Sequence, residues 1–174
     1  RLHARAGLGT DDRLWARPVG SARHQGLVDE LADAWSAVPA LASGEWIAAA
    51  AYAAALAGRD AAVRVRAMLD RLDHRTPWSE AALRTVTGAV AAADGDHRRA
   101  AELHLAGAEV YARIPDVTDR MLALALAAAE LELAGEPEGA PLAEVRAFAQ
   151  RNEAPGLLAL ARRPVPDAGP AVAC

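Results

Sequence analysis

Three glycines divide most of this chain into pairs of helical segments. Gly58, Gly95 and Gly135 each follow a run of residues with helical periodicity, and each is followed almost at once by another such run. The glycines are spaced 37 and then 40 residues apart, and a recurrence of this length is typical of helical hairpin arrays. Because glycine readily adopts the left-handed conformation that ends a helix, the spacing predicts antiparallel helix pairs in series.

The composition favours helices and argues against several classes of function. Hydrophobic residues make up 53% of the chain but aromatic residues only 4%, and leucine and alanine dominate, which favours helices over strands. All 19 basic residues are arginine, which suggests a GC-rich bacterial genome. The formal net charge of −4 predicts no direct nucleic-acid binding by this segment, because no positive field covers the chain.

The location is expected to be the cytoplasm. The longest apolar runs, 46–57 and 121–129, are too short to cross a membrane, so we interpret them as buried core helices. The one cysteine, Cys174, allows no internal disulfide, which is compatible with a reducing compartment.

One helical domain is predicted between two irregular ends. Residues 1–20 have no sustained period, so we expect a flexible lead-in. Residues 21–163 carry the helical periodicity and should form an N-terminal helix, about three antiparallel hairpins and a short C-terminal capping helix from Pro155. Residues 164–174 are rich in proline and glycine and are predicted to be disordered.

Start and stop signals place the individual helices. Ser43 is the expected N-cap of a helix that ends at Gly58, and Thr76 followed by Pro77 predicts a helix over 77–93. A later helix is apolar around its whole circumference from Leu122 to Ala129 and is predicted to be the structural centre. Further helices are predicted over 21–38, 60–73, 96–114, 117–134 and 138–152.

The second hairpin carries a family resemblance. Gly95 and Asp96 form its turn, Ala100 is a small residue five positions past the glycine, and Gly88 is a small residue seven positions before it. This arrangement resembles tetratricopeptide repeats (TPR), clearly over residues 81–161 and by period alone before them. The segment also resembles the helical repeats of bacterial LuxR-type or AfsR-type regulators and signalling ATPases. The resemblance implies an α-α superhelix and a protein-interaction module.

The resemblance also implies a binding surface along the first helix of each hairpin. Carrying the family's groove positions through the turn glycines gives a mostly small and apolar set of partner-binding residues: Glu45, Tyr52, Thr85, Ala89, Ala125 and Glu132. Trp15, in the lead-in, is the best candidate among the tryptophans for a ligand or partner contact. The family's basic clamp for a terminal carboxylate is missing, so we expect a partner helix or other domains of a parent protein in this groove.

Two polar clusters could suggest a metal site or acid–base catalysis, and we interpret neither of them in that way. His97 and His104 are seven residues apart, about 10 Å along a helix, which is too far for direct ligation of one ion. We interpret His97 as solvated and His104, at a position where the family has a large aromatic, as partly buried. Four acids near one helix end are interpreted as solvated surface: Glu130, Glu132, Glu136 and Glu138. With no nucleophile or phosphate-loop motif, we expect no enzyme, no metal and no cofactor.

The leading hypothesis is therefore a protein-interaction or regulatory scaffold within a larger bacterial transcriptional regulator or signalling ATPase. One alternative is a free-standing TPR-like adaptor. Another is a helical domain that binds a small molecule through its tryptophans and histidines. The identity of the partner and the oligomeric state do not follow from the sequence.

Overall fold

A computed structural model describes residues 20–37, 44–114, 116–136 and 139–162. Within these ranges the chain forms eight α-helices and no β-strand, which confirms the predicted all-α class. In chain order the helices are α1 Ala22–Ala37, α2 Glu45–Ala57, α3 Arg59–Leu69, α4 Pro77–Ala93, α5 His97–Arg113, α6 Val117–Leu133, α7 Ala140–Arg151 and α8 Pro155–Ala161. The predicted tail, and the predicted lead-in up to residue 19, lie outside the described residues.

Helices α4, α5 and α6 begin at side chains that cap free amides. At the start of α4, the Thr76 hydroxyl accepts from the Ser79 amide at 3.2 Å, and the Ser79 hydroxyl accepts from the Thr76 amide at 2.8 Å. Asp96 caps α5 and Asp116 caps α6 through carboxylate bonds of 3.1 Å to amides three residues on. These local bonds explain why the predicted starts of these helices agree with the structure.

Two predicted helix ends need correction. The helix predicted to reach Asp73 ends at Leu69, because the amides of Arg71 and Leu72 bond three residues back in a tight turn and not four. Gly44 occupies the N-cap position of α2 and supplies no side-chain bond. The predicted cap, Ser43, lies outside the described residues.

The turns that close the second and third hairpins have the same hydrogen bonds. After α4, the amide of Gly95 donates to Ala92 at 3.0 Å and the amide of Asp96 donates to Ala91 at 2.9 Å. This is the Schellman arrangement, in which the glycine takes a left-handed conformation. The turn at Gly135 repeats both bonds 40 residues later, and the φ angles of the two glycines are 85° and 83°.

The first hairpin turns differently, although a glycine stands at the same place in the pattern. Gly58 has φ 113° and ψ −172°, its amide bonds to Ala54 alone, and α3 begins at the next residue. A fourth turn, between α7 and α8, has one of the two hydrogen bonds of the Schellman arrangement. Glu153 takes the left-handed conformation there, at φ 53°. All three glycines therefore separate two helices, as predicted, but only Gly95 and Gly135 share one turn geometry.

The helices of the second hairpin approach closely where residues are small. A Cβ added at Gly88 of α4 would lie 2.7 Å from Cε1 of His104 on α5. A Cβ added at Gly107 of α5 would lie 3.5 Å from the Ala81 carbonyl and 3.8 Å from the Thr85 hydroxyl of α4. Each glycine thus admits atoms of the opposite helix, and the register is antiparallel.

The helices pack mainly in series, with further contacts between helices that are not consecutive. Each helix contacts the next, α2 also contacts α4, and α8 folds back on α6. Tyr52 of α2 reaches the third hairpin, where its hydroxyl donates to the Asp119 carbonyl of α6 at 2.6 Å. Its ring also lies against Tyr111 of α5, with centroids 6.3 Å apart. The first and third hairpins therefore meet directly.

Helix α6 is buried along its apolar run, as its all-round apolar character predicted. Every residue from Met121 to Glu130 is buried, because α5, α7 and α8 all pack on this helix. Within the described ranges, no helix combines the length and the apolar character that crossing a membrane requires.

Candidate functional site

The groove expected along the first helices is filled by the protein itself. Tyr52, Thr85 and Ala125 are at most 1% exposed, and Ala89 is 9% exposed. Tyr52 is held by its contacts with α5 and α6, and Thr85 faces Gly107 on α5. The expectation of an open groove is corrected to a packed interior, since these four side chains present no open surface.

The remaining predicted partner residues have different positions. Trp15 and the side chain of Glu45 lie outside what the structure describes; Glu45 is the first residue of α2. Glu132 is half-buried near the end of α6. Its side chain lines a cleft.

This cleft lies between the end of α6, the first turns of α7 and the residue that follows α8. It has a volume of about 700 Å³. α7 contributes most of the wall, because residues three or four apart share one face of a helix, and α8 brings Arg162 in by folding back on α6. The lining residues are Glu132, Gly139, Ala140, Leu142, Ala143, Arg146 and Arg162. We refer to it as the α7 cleft.

The α7 cleft has an excess of positive charge that the described residues leave unmatched. Arg146 and Arg162 are exposed, and neither they nor Glu132 forms an ion pair with a described residue. Two other acids close in sequence, Glu136 and Glu144, are each paired with a different arginine. Two guanidinium groups therefore face the cleft with one carboxylate.

The structure places one polar pair that the sequence interpretation missed. Nδ1 of His97 lies 2.8 Å from Oε2 of Glu130, whose side chain is only 5% exposed. His97 is thus not simply solvated and Glu130 is not surface. The available signal was that Glu130 directly follows a run that is apolar around the whole helix, which favours burial of its side chain.

His104 is more deeply buried than expected, at 1% exposure against Gly88. It lies in the core of the second hairpin, away from His97, which pairs with Glu130. Within the described ranges, no three His, Cys, Asp or Glu side chains group closely enough to hold a metal ion.

The tryptophans described by the structure serve mainly as packing residues. The ring of Trp78 lies 3.6 Å from the position of a Cβ added at Gly44, and its Nε1 donates to the Asp116 carboxylate at 3.4 Å. Trp35 and Trp46 border a cavity of about 10 Å³ between α1 and α2, which is room for about one water molecule.

A scan against protein-family models gave no match, and comparisons with curated proteins and with solved structures gave none either. The resemblance to TPR is therefore carried by the residues of this chain alone.

Proposed function

We propose that this chain is a TPR-like protein-interaction module that binds a polypeptide in the α7 cleft. The observation that carries the proposal is the cleft itself, which combines an apolar wall with charged groups that have no partner among the described residues. Capture of acidic motifs by arginine groups is a recurring mode of peptide recognition.

The repeated turn supports the TPR-like part of the proposal. Two hairpins close with the same pair of hydrogen bonds 40 residues apart, and the helices of the second hairpin meet through Gly88, at the small position of the family. Series packing of helix pairs is the expected architecture of such repeats.

The proposed partner is another part of a larger bacterial regulator or signalling ATPase. This element of the proposal rests on the resemblance of residues 81–161 to the helical repeats of such proteins. A separate partner protein would make the chain an adaptor, and the experiment below distinguishes the two. Binding of a small molecule through the tryptophans has less support, because the cavity beside Trp35 and Trp46 has room for about one water molecule.

Site-specific photo-crosslinking in the cells that express the protein tests the proposal. A photoreactive amino acid is placed at Ala143, which is exposed and lines the α7 cleft, or at Ala67, which is exposed on α3 far from it. We expect a discrete crosslinked product from position 143 and not from position 67. Mass spectrometry of the product then identifies either the parent polypeptide or a separate protein.

Both positions are exposed alanines within helices, so the two variants should fold equally well, which circular dichroism checks. The same crosslinking pattern from both positions, or no product from position 143, contradicts a polypeptide-binding cleft.

A further inference from the structure

We infer that the α7 cleft selects an acidic polypeptide segment, whose side-chain carboxylates pair with Arg146 and Arg162 while an apolar side chain packs on Leu142. This inference rests on the proposed function and specifies its partner. The exposed guanidinium groups have no ion pair with a described residue, so a bound carboxylate would displace no partner from the described part of the chain.

The chemistry of the wall favours carboxylates. A guanidinium group donates two parallel hydrogen bonds to one carboxylate, which gives both affinity and orientation. Among the described residues that line it, the cleft has two such groups and one carboxylate, that of Glu132, in a chain whose overall formal charge is −4. The positive excess is therefore local, and it should set the cleft apart from the acidic remainder of the molecule.

The positions on α7 explain why an apolar residue should accompany the acid. Leu142 precedes Arg146 by four residues, so their side chains lie one turn apart on the same face. Ala143 and Ala140 leave room beside them, because their side chains are short. A segment with an acidic residue near an apolar residue matches this face.

A polypeptide fits the cleft better than a nucleic acid, although both carry negative charge. None of the described lining residues is aromatic, so they offer bases no stacking surface. Glu132 would also repel a phosphate backbone. A segment of protein chain, in contrast, offers amide hydrogens that the Glu132 carboxylate can accept.

Selection from a random peptide display library on the immobilised full chain tests the inference. We expect enriched peptides to contain Asp or Glu close to Leu, Ile or Phe. The best peptide is then synthesised with an amidated C-terminus, which restricts the test to side-chain carboxylates, and titrated by fluorescence anisotropy. Replacing its acidic residues by Asn and Gln should weaken binding about 10- to 100-fold, as expected for loss of a charged hydrogen-bonded pair.

Variants of the protein give the matching test. Arg146→Glu should weaken binding of the acidic peptide by at least the same factor. The milder Arg146→Gln should also weaken its binding. Arg151→Glu is the control: it makes the same charge change on the same helix, at an exposed residue outside the cleft. Circular dichroism confirms that all variants keep their helices.

The outcomes separate this inference from the function on which it rests. Peptides that bind without acidic residues, or that bind the Arg146 and Arg151 variants equally, overturn the inference, while crosslinking from Ala143 would still support a polypeptide site. Free oligonucleotides that compete for the cleft at lower concentration than the peptide also overturn it. Failure to enrich any peptide, together with no crosslink from Ala143, overturns both.

Discussion

At the scale of single residues, the two tyrosines of the chain share one buried contact, and burial raises the pKa of each hydroxyl well above its ordinary value of 10.0. Because the pKa of each hydroxyl is higher in the folded protein than in the unfolded chain, the two hydroxyls favour the folded state fully below the unfolded pKa. This contribution is lost as the pH rises through the folded pKa. We expect no tyrosinate absorbance as the pH passes 10 until the helical circular dichroism signal also falls. Tyrosinate formed near pH 10 in a fully helical protein would contradict the described packing of Tyr52 and Tyr111.

Gly88 provides a second test at this scale. Gly88→Ala places a methyl group against the buried ring of His104, at 2.7 Å from Cε1, and should lower the free energy of unfolding by about 1–3 kcal/mol. Urea denaturation measures the change.

The control for this overpacking is Gly26→Ala in α1. Gly26 is exposed and has no atom within 4 Å of an added Cβ, so the change should raise the free energy of unfolding by about 0.5–1 kcal/mol. The two substitutions are chemically identical, and effects of the same sign would contradict the close contact between α4 and α5.

At the scale of elements, helix starts were predictable where the signal is local. Thr76, Asp96 and Asp116 bond amides within three residues, so the sequence near each start is sufficient. The end of α3 was not predictable, because the apolar spacing continues to Leu72 while the backbone has already tightened at Leu69. The different turn at Gly58 was not predictable either, because glycine adopts several backbone conformations and the sequence pattern does not specify which one.

The turn between α7 and α8 depends on the backbone conformation of one residue. Glu153 holds a left-handed conformation at φ 53°, which is unfavourable for a residue with a Cβ. Glu153→Gly should therefore raise the free energy of unfolding by about 0.5–1 kcal/mol, after allowing for the greater freedom of glycine in the unfolded chain.

Thermal and urea unfolding measure this gain. Glu153→Ala is the control, because it removes the same carboxylate but keeps a Cβ in the left-handed conformation. Equal stability of the two variants would mean that the charge of Glu153, and not its backbone, decides the effect.

At the scale of the whole molecule, the contact of Tyr52 with α5 and α6 makes the first and third hairpins interdependent. Repeat arrays held only by nearest neighbours can unfold in parts, but this contact joins units that are not neighbours. We expect a single cooperative transition in urea. Tryptophan fluorescence reports the first half of the chain, where all four tryptophans lie, and far-UV circular dichroism reports every helix, so their midpoints should coincide.

Tyr52→Ala should separate these two midpoints, because it removes both the ring contact and the hydrogen bond to Asp119. Tyr52→Phe is the milder comparison: it keeps the ring and should cost about 0.5–1.5 kcal/mol for the lost hydrogen bond, with the midpoints still together. Separate midpoints in the unaltered chain would show that the crossing contact does not couple the hairpins.

The candidate site was predictable only in part, because it is a product of tertiary packing. The groove expected from the resemblance assumed that first helices face an open surface, whereas Tyr52, the one large aromatic in an alanine-rich part of α2, fills that space. Glu132 was predicted because the family's groove positions, carried through the turn glycine Gly135, fall on it. Arg146 and Arg162 were not, since they come together only when α8 folds back on α6.

The bridge from Tyr52 to α6 also has a kinetic consequence. A ligand for the interior between α2 and α6 must wait until the protein breaks the 2.6 Å hydrogen bond to Asp119. Its observed association rate would level off at the opening rate as ligand concentration increases, as in conformational gating. Binding in the α7 cleft does not depend on this hydrogen bond. In stopped-flow experiments, an observed association rate that increases linearly with ligand concentration would therefore indicate binding in the α7 cleft.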